Sequence, residues 1–149
     1  MTWERTAEAA SPAPPERVWD ALLDGRRWSL WNHGVQWMTP EGPVEPGTLL
    51  TMKPKGAPQT AFRIEAAVPR RLLALVVTFG PVAALRLRWE LAPHGGGTSI
   101  AQTVGISGPL AGLLLRRAAE RIANAMPANL ERLASLAAGG AVDTAPEPA

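Results

Sequence analysis

The chain has 149 residues, 46% hydrophobic and 19% charged, which excludes a disordered chain or an integral membrane protein and suits one globular domain. Its lack of cysteine excludes disulfides, thiolate metal sites and a cysteine nucleophile. The formal net charge is only +2, so a pI of about 9.9 reflects missing cysteine and tyrosine titration, and arginines scattered from Arg26/Arg27 to Arg116/Arg117/Arg121 argue against nucleic-acid binding.

Across residues 2–10, Trp3, Ala7 and Ala9 alternate with Glu4, Thr6 and Glu8, which predicts a first strand whose apolar side is interrupted by Arg5. Ser11, Pro12, Pro14 and Pro15 break it. Pro15 and Glu16 then suit the first turn of a helix that buries Val18, Trp19, Leu22 and Leu23 and ends at Asp24 and Gly25. A short second helix or turn over residues 26–31 leads through Asn32, His33 and Gly34 into a strand over residues 35–38. Residues 39–47 hold three prolines and two glycines and predict an exposed loop.

The next strand, residues 48–53, carries Leu50 and Met52 on one parity. After a turn, Phe62, Ile64, Ala66 and Val68 alternate with Arg63 and Glu65, one face buried and the other solvated. Residues 72–79 are almost continuously apolar, as suits a central strand or one covered on both sides. Beyond Gly80 and Pro81, Leu85, Leu87, Trp89 and Leu91 oppose Arg86, Arg88 and Glu90 with a period of two. A hairpin loop over residues 93–97 returns the chain to a last strand with Ile100, Gln102, Val104 and Ile106 on one face.

From Pro109 to Ala137 the period becomes helical. With Ser107 as cap, Ala111, Leu115, Ala118, Ile122, Met126, Leu133 and Leu136 fall on one stripe, opposite Arg116, Arg117, Glu120, Asn124 and Glu131. Pro127 removes the bond to the carbonyl of Ala123 and predicts a kink. Residues 139–149 predict a disordered tail.

This order predicts an α+β fold in one domain over residues 1–138. A curved antiparallel sheet of six or seven strands grips a long C-terminal helix over a pocket, with two short helices after the first strand. Inward parity assigns Leu50, Met52, Phe62, Ile64, Leu87 and Trp89 to the pocket, together with Ile100, Gln102 and Val104. The helix stripe roofs it with Leu115, Ala118, Ile122 and Met126, and Trp37 joins Trp89 as a wall on which a ligand can stack. Small-molecule sites are mostly apolar with a few orienting polar groups, which this lining matches; the same parity also describes a solid core. Gln102 is the informative polar residue, because a buried amide needs a ligand, a water or a neighbour as partner. Asn129 poses the same question on the helix, where it can instead serve carbonyls freed at Pro127.

Catalytic signals are sparse. His33 is the histidine placed near a pocket mouth, a candidate general base for which the sequence supplies no evident orienting carboxylate. His94 lies beside three glycines and is expected in solvent. No HExxH, Walker, GxGxxG or GxSxG motif is present, and Glu41 and Glu45 sit on the loop, so neither a metal nor a cofactor is expected. Leu110, Leu113, Leu114 and Leu115 make the start of the last helix apolar nearly all round, so a flap from the 39–47 loop, a second subunit in a homodimer, or transient membrane contact is needed to cover it. The absence of an apolar run of ~18 residues argues against stable membrane insertion, and the absence of a signal peptide at Met1 to Arg5 points to the cytoplasm.

The run Ala13-Pro14-Pro15-Glu16-Arg17-Val18-Trp19, followed by Asp24, Trp28 and Trp31, resembles the opening of the polyketide cyclase/dehydrase group of the START-like (SRPBCC) superfamily. The turn Phe79-Gly80-Pro81, the strand end Leu91-Ala92-Pro93, the Gly97-Thr98 step, Ser107-Gly108-Pro109 and Asn129-Leu130-Glu131-Arg132-Leu133 extend the resemblance over residues 2–138. It implies a helix-grip fold whose cavity holds hydrophobic or amphipathic molecules, lipids among them. A few members are cyclases or dehydratases, and many more bind or transport. The expected function is therefore binding of a small hydrophobic molecule, the alternatives being a cyclase or dehydratase using the same cavity, or a protein-interaction module using the leucine-rich helix start.

Overall fold

The computed structural model describes residues 2–139. Strand β1 (Thr2–Ser11) leads into α1 (Pro15–Leu23), a 3-10 turn (Gly25–Arg27) and α2 (Trp28–Trp31). Six strands follow: β2 (Val35–Pro40), β3 (Leu49–Pro54), β4 (Thr60–Val68), β5 (Leu72–Phe79), β6 (Ala83–His94) and β7 (Gly97–Ser107). The chain closes with α3 (Ala111–Leu114) and α4 (Arg116–Ala137). The strands form one antiparallel sheet in the order β1-β7-β6-β5-β4-β3-β2, curled around α4 in the expected helix-grip arrangement. The tail expected over residues 139–149 lies, but for Gly139, outside the described residues.

Local chemistry accounts for most element boundaries. Pro15 occupies the first turn of α1, where its missing N–H costs nothing, and α1 buries Val18, Trp19 and Leu22. The near-continuous apolar run became β5, the central strand, with Leu73 and Leu75 inward and Val76 buried on the outer face. The β6–β7 hairpin is tighter than the sequence implies. His94 pairs with Gly97, and the loop is only Gly95-Gly96, both at positive φ (55° and 84°), the backbone that a two-residue hairpin needs and that glycine adopts freely. His94 is exposed, as expected. At Gly25 the 3-10 turn presses on β2 so closely that a Cβ would lie 1.7 Å from the carbonyl oxygen of Met38.

Two expectations are corrected. The last helix is not continuous from Pro109: Leu115, at φ −120°, separates α3 from α4, and Ser107 caps neither. Its hydroxyl instead accepts from Arg86 Nη1 at 3.1 Å. The buried face of α4 is rotated from the expected stripe, so Ala119 and Ala123 face the sheet; Ala118 is exposed and Ile122 only half-buried. From Met126 onward the expected face holds through Leu133, and α4 runs unbroken through Pro127.

The second correction concerns Trp37. A register shift between Val35 and Trp37 puts an extra residue into β2, so Val35 and Met38 are both buried while Trp37 pairs with Lys53 on the outer side. A one-residue slip exchanges the faces of a strand. Met38 therefore takes the inward place, opposite Met52.

The leucines around α3 stay exposed among the described residues. Leu113 is 81% exposed, with Leu110 and Leu114 about half exposed beside it. No helix among the described residues is long and apolar enough to cross a membrane.

Candidate functional site

The concave side of the sheet buries most of the residues that inward parity selected. Leu50, Met52, Phe62, Ile64, Leu87, Trp89, Ile100, Gln102 and Val104 are all buried in one cluster with Leu115 and Met126. Their register explains the convergence. Directly opposed residues of antiparallel strands share a face, so the row Leu73, Trp89, Gln102, Ala7 crosses β5, β6, β7 and β1 beneath the helices. α4 packs on β1 and β7, and α1 and α2 pack on α4.

This interior is occupied by aromatic rings rather than open. Trp28 and Trp31, from the four-residue α2, enter from the side and meet Trp89 from the sheet, all three fully buried. Their ring centroids lie 4.8 Å apart for Trp28–Trp31, 5.6 Å for Trp28–Trp89 and 6.5 Å for Trp31–Trp89, the last two edge to face. Each buried indole contributes about 150–250 Å² of contact, several kcal/mol at ~25 cal/mol per Å², so the trio is a principal element of the core. The sequence placed Trp28 and Trp31 in a short helix or turn but held no sign that they plug the space under α4.

Polar atoms around the trio divide sharply. Trp28 Nε1 donates to the carbonyl oxygen of Leu22 at 2.8 Å. Trp31 Nε1, Trp89 Nε1 and the amide oxygen of Gln102 are buried and have no hydrogen-bond partner among the described residues. The other buried polar side chains are engaged. Ser11 Oγ donates to the carbonyl of Ala134 and accepts from the amide of Ala13, and Thr98 Oγ1 donates to the carbonyl of Ala13. Asn129 accepts from Arg132 Nη2 (2.6 Å) and from the backbone amide of His33 (3.4 Å), and donates to Asn32 Oδ1 (3.3 Å). Arg132 Nε also donates to the carbonyl of Trp31 at 3.1 Å, so α4 clamps the α2–β2 connection.

Asn129 thus serves that connection rather than carbonyls near Pro127. His33 lies on the same connection, half-buried. The charged outer face of the sheet behaves differently. A concavity of about 170 Å³ there is lined by Trp3, Arg86, Arg88 and Thr103, yet Arg86 is paired with Glu65 and Arg88 with Glu90. These exposed pairs form a self-neutralised, solvated face, on the opposite side of the sheet from the Trp28–Trp31–Trp89 cluster.

No curated protein matches the sequence. Among solved structures, the chain is similar to Ara h 8.0201 (14% identity, TM-score 0.69, covering 94% of this chain and 100% of that one). It is also similar to the Zhui aromatase/cyclase from Streptomyces sp. R1128 (16%, TM-score 0.68, 94% and 99%) and to protein MLL2253 from Mesorhizobium loti (17%, TM-score 0.67, 90% and 96%). At these identities the likeness establishes the fold alone. The sequence itself goes further: residues 2–138 match the family described as polyketide cyclase/dehydrase and lipid transport, and the chain belongs to that family.

Proposed function

We propose that the protein binds a small, neutral, largely apolar molecule between the sheet and α4, and that the guest enters by displacing the Trp31 ring. The observation that carries this reading is that Trp31 Nε1, Trp89 Nε1 and the Gln102 amide oxygen lie buried without hydrogen-bond partners among the described residues, whereas the buried side chains of Ser11, Thr98 and Asn129 are bonded. An unsatisfied buried group costs about 1–3 kcal/mol, so a guest that supplies the missing bonds gains that much at each atom. Family membership supports the same reading. α2, which carries Trp28 and Trp31, is a single helical turn, and side-chain bonds from Asn129 and Arg132 tie its end to α4.

Neutrality follows from the lining. The buried polar residues are Ser11, Thr98, Gln102 and Asn129, with no buried cation or carboxylate among the described residues to balance a charged guest. Binding alone is the mechanism: water is excluded, apolar surface is buried, and the polar end is fixed by hydrogen bonds. Native mass spectrometry of gently purified protein tests this. A bound neutral mass, released on denaturation, is expected. A bare protein that also fails to take up N-phenyl-1-naphthylamine, a neutral fluorescent probe, contradicts it.

A further inference from the structure

One end of the molecule sets an uncovered apolar surface beside cations that no carboxylate balances. Antiparallel pairing puts the β3–β4 and β5–β6 turns at the end of the sheet where β7 leaves for α3. There Leu113 is 81% exposed, with Leu110 at 42% and Leu114 at 53%. The Leu110 amide donates to the carbonyl of Val82 at 3.0 Å, which sets the start of α3 against the β5–β6 turn, and Phe79, 43% exposed, flanks that turn on β5. An apolar surface of this kind marks an interaction site. We infer that this end docks on a membrane surface that contains anionic lipid, the leucines of α3 entering the headgroup layer and the neighbouring arginines and lysines meeting the lipid charges. The inference is independent of what occupies the interior.

Charge selects this occupant. No acidic residue lies from Ser107 to Ala119. Arg116 is held by Glu120 at 3.4 Å, its guanidinium lying over the Trp3 ring. Arg117 and Arg121 are exposed on α4, four residues apart, and form no ion pair among the described residues. Like charges at that spacing repel, so an external anion relieves them. The two lysines of the chain, Lys53 and Lys55, are both on the β3–β4 hairpin at this end, and Lys53 Nζ bonds only carbonyl oxygens, of Pro54 and Ala57. Glu4, on β1, is an acidic residue of this end, whereas Glu41 and Glu45 lie on the β2–β3 loop at the opposite one. A second copy is the poorer match, because a two-fold interface sets the patch on its own duplicate and faces cation with cation. α3 is a single turn and no helix among the described residues can span a bilayer, so the contact is peripheral.

Co-sedimentation of the full chain with sucrose-loaded vesicles tests this. Vesicles of three parts phosphatidylcholine to one part phosphatidylserine are expected to bind at least tenfold more tightly than phosphatidylcholine alone, and high salt should shrink the difference. Leu113→Ser combined with Leu114→Ser should weaken binding to the anionic vesicles at least tenfold while leaving the urea midpoint unchanged, since both side chains are exposed. Arg117→Gln combined with Arg121→Gln should weaken it about 25-fold, at roughly fivefold per cation near the surface, and change nothing on the neutral vesicles. Binding that is equal on both vesicles, or absent from both, overturns the inference. So does a dimer in analytical ultracentrifugation that the double serine variant dissolves, which makes a second copy the occupant. Uptake of N-phenyl-1-naphthylamine by the double serine variant is expected to match wild type, so failure of docking and failure of interior binding are read separately.

Discussion

Trp31 stands between two polar clusters built from the same kinds of groups and completed to different degrees. On its backbone side, Arg132, Asn129 and Asn32 exchange hydrogen bonds with one another, with the Trp31 carbonyl and with the His33 amide, in a network that joins α4 to the α2–β2 connection. On its ring side, the Trp31 and Trp89 N–H groups and the Gln102 oxygen face a core that offers them nothing. The first cluster is a structural fastener. The second costs stability, and under the proposed function a guest would satisfy it; the difference between the clusters lies in satisfaction rather than in residue type.

Mutations that sharpen the contrast differ in sign as well as size. Trp31→Ala removes the plug and is expected to cost about 3–5 kcal/mol, read as a lower midpoint in urea unfolding. Asn129→Leu strips partners from Arg132, Asn32 and the His33 amide, and should cost about 1–3 kcal/mol in the same assay. Ser11→Ala, which orphans the Ala13 amide near α4, should cost about 1–2 kcal/mol. Gln102→Leu, although as deeply buried as these, should change stability by less than about 1 kcal/mol or raise it, because it deletes an acceptor that has no donor. A loss of ~3 kcal/mol at Gln102 would erase the distinction between the clusters.

How far the sequence could be read depends on where non-local contacts intervene. The alternation in β6 and β7 carried Leu87, Trp89, Ile100, Gln102 and Val104 to their places, since a period of two in a long paired strand leaves little freedom. Trp37 was misplaced because one extra residue near Gln36 reverses the faces of β2, and no local feature announces it. Ala118 failed for a different reason: the stripe was centred to one side of the true face, which holds Ala119, Ala123 and Leu130 and leaves Ala118 at its exposed margin. The aromatic plug was invisible because a four-residue helix has no face to read. The partners of Asn129 were equally hidden, since Asn32 and His33 lie almost a hundred residues away in sequence.

The central claim, that the space beneath α4 admits a neutral guest once the Trp31 ring moves aside, is tested most directly by the affinity of N-phenyl-1-naphthylamine for three proteins: wild type, Trp31→Leu and Leu113→Ser. If displacing the ring opposes binding in the wild type, shortening it in Trp31→Leu should raise affinity at least tenfold, and Leu113→Ser on the exposed α3 should leave it unchanged. Affinity that is indifferent to Trp31→Leu and falls in Leu113→Ser would place the probe on the outer leucines and contradict the account.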